Sequence, residues 1–147
     1  MNSLPQIAWQ LGPESIQPTC ATPGSSGYDI YLPRNEGFFL YSRETKLIDT
    51  GVRLAIYTPG WEAQIRSRSG LASKHGVVVI NSPGTVDADY RGPLCVCLMN
   101  LGHVAAVLRG GDRIAQLVFA PIAHPEVIAW RDDETARGTG GFGSTGR

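Results

Sequence analysis

Val52-Arg53-Leu54-Ala55-Ile56-Tyr57 and, after a Pro-Gly break, Trp61-Glu62-Ala63-Gln64-Ile65-Arg66 decide the fold class. In the first run Val52, Leu54 and Ile56 share one face of an extended chain, against Arg53 and Tyr57. In the second, Trp61, Ala63 and Ile65 oppose Glu62, Gln64 and Arg66. A period of two is the signature of a half-buried strand. Working outward, further apolar segments run over Val77–Ile80, Leu94–Leu101, Val104–Leu108, Ile114–Phe119 and Val127–Trp130, each bounded by turn residues. Short strands at this spacing, with 18 Gly and 10 Pro in 147 residues, predict an all-β barrel or sandwich and argue against a helical bundle. One short helix is expected from about Ser69 to Lys74, ended by Gly76.

The length and a 42% hydrophobic content suit one compact core and are too short for two ordinary domains. Thirteen basic and thirteen acidic residues cancel, which excludes a general nucleic-acid binder and requires local charge for any anionic partner. No apolar run approaches the ~18 residues that span a bilayer, and the N-terminus lacks the basic start and apolar block of a signal peptide. A soluble, cytoplasmic protein with no membrane association is expected. Cys95 and Cys97, two apart in an apolar run, read as buried reduced thiols pointing the same way. Zinc-dependent nucleobase deamination is excluded, because the His-x-Glu and Pro-Cys-x-x-Cys pair it needs is absent.

Four segments carry candidate chemistry. Arg66-Ser67-Arg68-Ser69-Gly70-Leu71 places two arginines and two serines at the start of the short helix, which suits a phosphate or, equally, an ordinary serine cap. Asn81-Ser82-Pro83-Gly84 opens as a type II turn, and beyond it Asp87 and Asp89 are expected on one side of a strand with Tyr90 on the other. Gly110-Gly111-Asp112-Arg113-Ile114-Ala115-Gln116-Leu117 reads as a turn followed by a strand. After Ala136 the chain becomes Arg-Gly-Thr-Gly-Gly-Phe-Gly-Ser-Thr-Gly-Arg, with five Gly in eleven residues. Residues 138–143 fit G-x-G-x-x-G, yet the four residues that follow leave no room for the helix a dinucleotide site requires. Two readings stay open for this stretch: a flexible linker, or an arm whose arginines, hydroxyls and Phe142 close over a nucleotide.

In order along the chain, these pieces resemble the five motifs of the trimeric deoxyuridine triphosphate nucleotidohydrolases, the dUTPases. The motifs correspond to Pro23-Gly24-Ser25-Ser26-Gly27-Tyr28-Asp29-Ile30, to Arg68-Ser69-Gly70-Leu71-Ala72, to Val86-Asp87-Ala88-Asp89-Tyr90-Arg91-Gly92, to Gly111-Asp112-Arg113-Ile114-Ala115-Gln116 and to the glycine-rich tail. The resemblance implies a jelly-roll-like β-barrel over residues 1–136 and a nucleotide-closing arm over 137–147. It further implies a homotrimer with shared sites, and hydrolysis of dUTP to dUMP and pyrophosphate with Mg²⁺ held by the phosphates and water.

By that likeness Asp87 would activate the attacking water, and Asn81 and Tyr90 would bind uracil and deoxyribose. Arg68, Ser69, Gly70 and Gln116 would hold the phosphates, while Arg137, Phe142, Gly143, Ser144 and Thr145 would close over them. Asp29, Asp89 and Arg113 would act from behind. Ser67 and Ser26 depart from the family's common Pro and Ala, which bears on loop rigidity. Two alternatives share this fold. A dCTP deaminase would need a Glu near the pyrimidine, whereas no Glu occurs between Glu62 and Glu126. The other is a dUTP-switched regulatory binding protein.

Overall fold

The computed structural model describes residues 4–132 and 134–141. Its strands are β1 (Ile7–Leu11), β2 (Thr19–Cys20), β3 (Tyr28–Tyr31), β4 (Gly37–Leu40), β5 (Thr45–Ile56), β6 (Trp61–Arg66), β7 (Val77–Val79), β8 (Gly84–Val86), β9 (Pro93–Asn100), β10 (Ala106–Arg109) and β11 (Arg113–Pro121). A single helix among the described residues, α1 (Ser69–His75), ends on Gly76 in the left-handed conformation. Three antiparallel sheets result: β1-β5-β9-β7, the ribbon β10-β4, and β2-β3-β11-β6-β8. The mostly-β architecture with one short helix agrees, at the level of layers, with the jelly-roll-like expectation.

Alternation predicted the core faces. Val52, Leu54 and Ile56 of β5 and Ala63 and Ile65 of β6 are buried, with Leu94, Val96 and Leu98 of β9 and Ile114, Ala115 and Leu117 of β11. β5 is longer than its readable half: its first part pairs with β9 and its second with β1, and the β5–β9 register shifts between Asp49 and Arg53. Charged and small residues before Val52 obscured that first part. Trp9, Tyr28 and Phe119 form a satellite aromatic cluster with ring centroids 5.8–6.5 Å apart, tying β1, β3 and β11 together.

Several expectations are corrected. Val127–Trp130 forms no strand, and Val127 and Trp130 are 93% and 86% exposed. β11 before it pairs with β3 over Arg113–Leu117 and with β6 over Gln116–Pro121, and Val127–Trp130 joins none of the three sheets. Gly84 does not occupy a type II turn, for it opens β8 opposite Ile65 and lacks the positive φ that such a turn requires. Asp87 and Asp89 lie on a turn, closed by the Tyr90 N–H on the Asp87 carbonyl at 3.1 Å, because β8 stops at Val86. Cys95 and Cys97 do point the same way, but to the outer face of β9, where they are half-buried while Leu94, Val96 and Leu98 take the core. The helix cap is Arg68 with no side-chain bond, so Ser69 is the first helical residue and not the cap.

One buried polar side chain organises the ribbon end of the core. Asn100 donates from Nδ2 to the carbonyls of Leu40 and Val104, each at 2.8 Å, and accepts the Gly102 N–H at 2.8 Å. Replacing Asn100 by Ala removes all three bonds. Because an inward carbonyl left without its donor costs ~1–3 kcal/mol, Asn100→Ala should lower the unfolding free energy by about 2–4 kcal/mol in urea titration. A loss below about 0.5 kcal/mol would show the network to be dispensable.

Candidate active site

The order of the five-stranded sheet assembles the motifs. β11 carries Gln116 directly opposite Asp29 of β3 on one side and Arg66 of β6 on the other, and β8 lies beyond β6. The chain leaves β6 through Ser67 into Arg68 and α1, so Arg68 returns toward the Asp29–Gln116 row. Its Nε donates to Asp29 Oδ1 at 2.8 Å, and Arg113 Nη1 lies 3.3 Å from Asp29 Oδ2. Two guanidiniums therefore share one largely buried carboxylate, and the excess charge is positive.

Asp29, Arg68 and Gln116 line a cavity of about 290 Å³ with Ser25, Ser26, Gly27 and Ser69, and Arg113 reaches Asp29 from outside it. Gln116 donates from Nε2 to the Ser67 carbonyl at 2.9 Å. Its amide lies against residue 27, where a Cβ would run into Gln116 Oε1 and displace it. Ser67 donates its N–H to Ser82 Oγ at 3.2 Å, and its own Oγ accepts the Val79 N–H at 2.9 Å. A proline could make neither bond, so the serine holds this loop to β7 and to the Asn81 segment by hydrogen bonding.

A second cavity, of about 170 Å³, is lined by Asn81, Gly84, Asp87, Tyr90, Leu94 and Cys95 among others. Tyr90 Oη donates to the Pro93 carbonyl at 3.0 Å, laying the ring across residue 92, where any Cβ would collide with it. Gly92 thus gives the ring its seat. Asp87 is exposed at the rim, free to meet water and ligand. Among the described residues none lines both cavities.

The remaining expected residues are placed as follows. Gly70 is exposed in the first turn of α1 with open space about it, Arg113 is joined to Asp29, and Asp89 is exposed on the turn and lines neither cavity. Arg137 donates from Nε to the Gly140 carbonyl of its own segment at 2.9 Å. Phe142, Gly143, Ser144 and Thr145 lie outside the described residues. A further cavity, of about 950 Å³, is bounded by the C-terminal segment itself, including Ile128, Trp130 and Gly138, and is lined by no residue of the first four motifs. No cluster of three or more His, Cys, Asp or Glu among the described residues could hold a metal ion. Divalent ions such as Mg²⁺ take oxygen ligands, and a polyphosphate supplies them. Sequence reasoning passed over Ser25 and Ser26 as individual contacts, and nothing in their loop context separated them from turn residues.

A family model described as dUTPase matches residues 14–146. The deoxyuridine 5'-triphosphate nucleotidohydrolase of Wolbachia pipientis wMel is 44% identical over 142 residues, covering 92% of this chain and 90% of that one. Among solved structures, the Staphylococcus bacteriophage 80alpha dUTPase with dUPNHPP superposes with a TM-score of 0.85 at 27% identity, covering 97% of this chain and 99% of that one. A mutant dUTPase from phage phi11 of S. aureus, described as coordinating a structural Mg(II) ion, has a TM-score of 0.78 at 25% identity over 88% of this chain and 99% of that one.

The thiols give a chemical check on the second cavity. Burial, with a smaller contribution from the charge of Asp49, pushes the Cys95 thiol above its ordinary value, so at neutral pH it stays protonated and poorly nucleophilic. Cys20 is exposed. Iodoacetamide at pH 7 should alkylate Cys20 well before Cys95 by peptide mass spectrometry, and Cys95 should gain on it as the pH rises. Equal rates at pH 7 would contradict the placement of Cys95.

Proposed function

The chain belongs to the dUTPase family, and from that premise we propose that it hydrolyses dUTP to dUMP and pyrophosphate. The observation that carries the reading is the cavity where Asn81, Asp87 and Tyr90 converge: a pyrimidine-matching amide, a proton acceptor and a ring at one opening. Asp87 takes a proton from a water that attacks the α-phosphorus, the bond to the β-phosphate oxygen breaks, and pyrophosphate departs. The Asn81 amide and nearby backbone groups pair with uracil; β7 and β8 on either side of this segment belong to different sheets, so the expected hairpin does not form and the limit on a 5-methyl group falls to the small cavity itself. Tyr90 lies beneath the deoxyribose and crowds a 2′-hydroxyl.

The phosphates suit the other cavity. Arg68, Ser69 and Gln116 offer guanidinium, hydroxyl and amide donors there, with the Gly70 backbone next in α1 and Asp29, shared with Arg113, orienting Arg68. Mg²⁺, chelated by the triphosphate and water, would neutralise phosphate charge and orient the leaving group when bound. The family likeness implies a homotrimer with shared sites, and the reading places the two halves of each site on different copies, in keeping with two cavities that share no residue. Residues 1–136 form the β domain in this account, and residues 137–147 the arm that closes over the nucleotide. Arg137, Gly143, Ser144 and Thr145 would bind phosphate there, and Phe142 would stack on the base.

Asp87→Asn keeps size and removes the proton acceptor. It should bind a non-hydrolysable dUTP analogue as the native protein does while pyrophosphate release from dUTP falls by ~10²- to 10⁴-fold, the usual worth of general-base assistance. Asp89→Asn should be milder. Near-native turnover by Asp87→Asn would overturn the assignment.

Deleting residues 137–147 should leave the thermal unfolding midpoint and sedimentation unchanged and abolish most turnover. Full activity in the truncated chain would make that stretch a linker.

A further inference from the structure

Behind the Asp87–Tyr90 turn sits an arginine that the proposed chemistry leaves without a role. Arg91 follows Tyr90 directly, yet its side chain turns back under the turn. Nη1 donates to the Ala88 carbonyl and to the Tyr90 carbonyl, at 2.6 and 2.8 Å. Its guanidinium lies 5.9 Å from the centroid of the Tyr57 ring, and its own carbonyl accepts Nη1 of Arg53 at 2.8 Å. Neither Arg53 nor Arg91 forms an ion pair among the described residues, so hydrogen bonds and a ring face account for their placement. The pair lines a separate cavity of about 230 Å³ with Tyr57, Trp9 and Gln10, at the seam of β1 and β5.

The physical consequence follows from where the bonds land. The turn itself has one backbone bond, from Tyr90 N–H to the Asp87 carbonyl. A four-residue turn on one backbone bond keeps several backbone states within reach, whereas a guanidinium bonded to two of its carbonyls selects one. The carboxylate of Asp87 and the ring of Tyr90 project from opposite ends of that turn, so their mutual placement depends on its conformation.

We propose that Arg91, held from behind by Arg53 and Tyr57, is a positioning residue that fixes the Asp87–Tyr90 turn and thereby sets the sugar-selecting ring against the water-activating carboxylate. The inference rests on the dUTP-hydrolysing reading for its functional half and on the hydrogen bonds alone for its structural half. Arg91 touches no substrate in this account and acts through the turn.

The test uses the full chain with Arg91→Met, which keeps an apolar stem and removes the donors, Arg91→Lys, which restores donors without the planar fork, and Arg53→Ala as an outer variant in case Arg91→Met fails to fold. Two readouts are taken: amide hydrogen exchange over residues 87–90, and the ratio of kcat/KM on dUTP to that on UTP. For Arg91→Met, exchange at the Tyr90 amide should rise and the dUTP to UTP ratio should fall on the order of 10- to 100-fold, the discrimination a pocket loses when it no longer excludes one small group. The thermal midpoint should stay near native. Arg91→Lys should recover part of both, and Arg53→Ala should show the same pattern at smaller size. Unchanged exchange at residues 87–90, or a ratio that holds while kcat on both substrates drops together, overturns the proposal. A native protein that turns over neither nucleotide would instead overturn the hydrolytic reading, and exchange would still decide whether Arg91 clamps the turn.

Discussion

Strand β11 is hydrogen-bonded on both sides, to β3 and to β6, and neither neighbour can slide past it without breaking a ladder. A slip of one residue would exchange the faces of every side chain on the strand, sending Leu117 and Ala115 out of the core and Gln116 into it. Burial of Ile114, Ala115 and Leu117 makes that slip costly. The apolar packing of one strand therefore holds Gln116 opposite Asp29 and next to the exit of β6, and that row is the base on which Arg68 and Ser69 stand. Beyond β6, the pairing of Ala63 with Val86 ends β8 where the Asp87 turn must begin.

Electrostatics then divides the labour. A chain of zero formal net charge has no general pull on anions, so an anionic ligand must find a local excess. That excess lies at Asp29, whose single carboxylate orients two arginines without cancelling both. The carboxylate proposed to activate water sits apart, at the rim of the other cavity, where two cations do not hold it in an ion pair. Separation of this kind suits a reaction that needs a strong phosphate cradle and a carboxylate still able to accept a proton.

Much of this was legible in residue order, and the failures have physical causes. Val52-Leu54-Ile56 and Ala63-Ile65 announced their strands because one face is buried and the other wet. β4 alternates in burial but places apolar Phe39 on its exposed face, β1 carries apolar letters on both faces, and β2 is exposed throughout, so none showed the pattern in sequence. Val127–Trp130 has the composition of a strand and joins no sheet, its side chains left largely exposed. Asp87, Tyr90, Arg68 and Gln116 were recognisable as types in a motif, and the structure sorts them into two cavities, a division that depends on strand order and that no local pattern encodes. Arg91 escaped notice because its importance lies in backbone carbonyls, and a carbonyl has no letter in a sequence.

The division into two half-sites is the central claim, and complementation between defective copies tests it most directly. Asp87→Asn leaves the phosphate cavity intact, and Arg68→Met leaves the nucleoside cavity intact. The two variants would be unfolded, mixed in equal amounts, refolded together and assayed for pyrophosphate release from dUTP. If each site draws one half from each of two neighbouring copies in a three-fold ring, random mixing restores about a quarter of native activity, because about one pairing in four joins two intact halves. Activity no greater than the average of the two separately refolded variants would contradict the account and return both halves to a single chain.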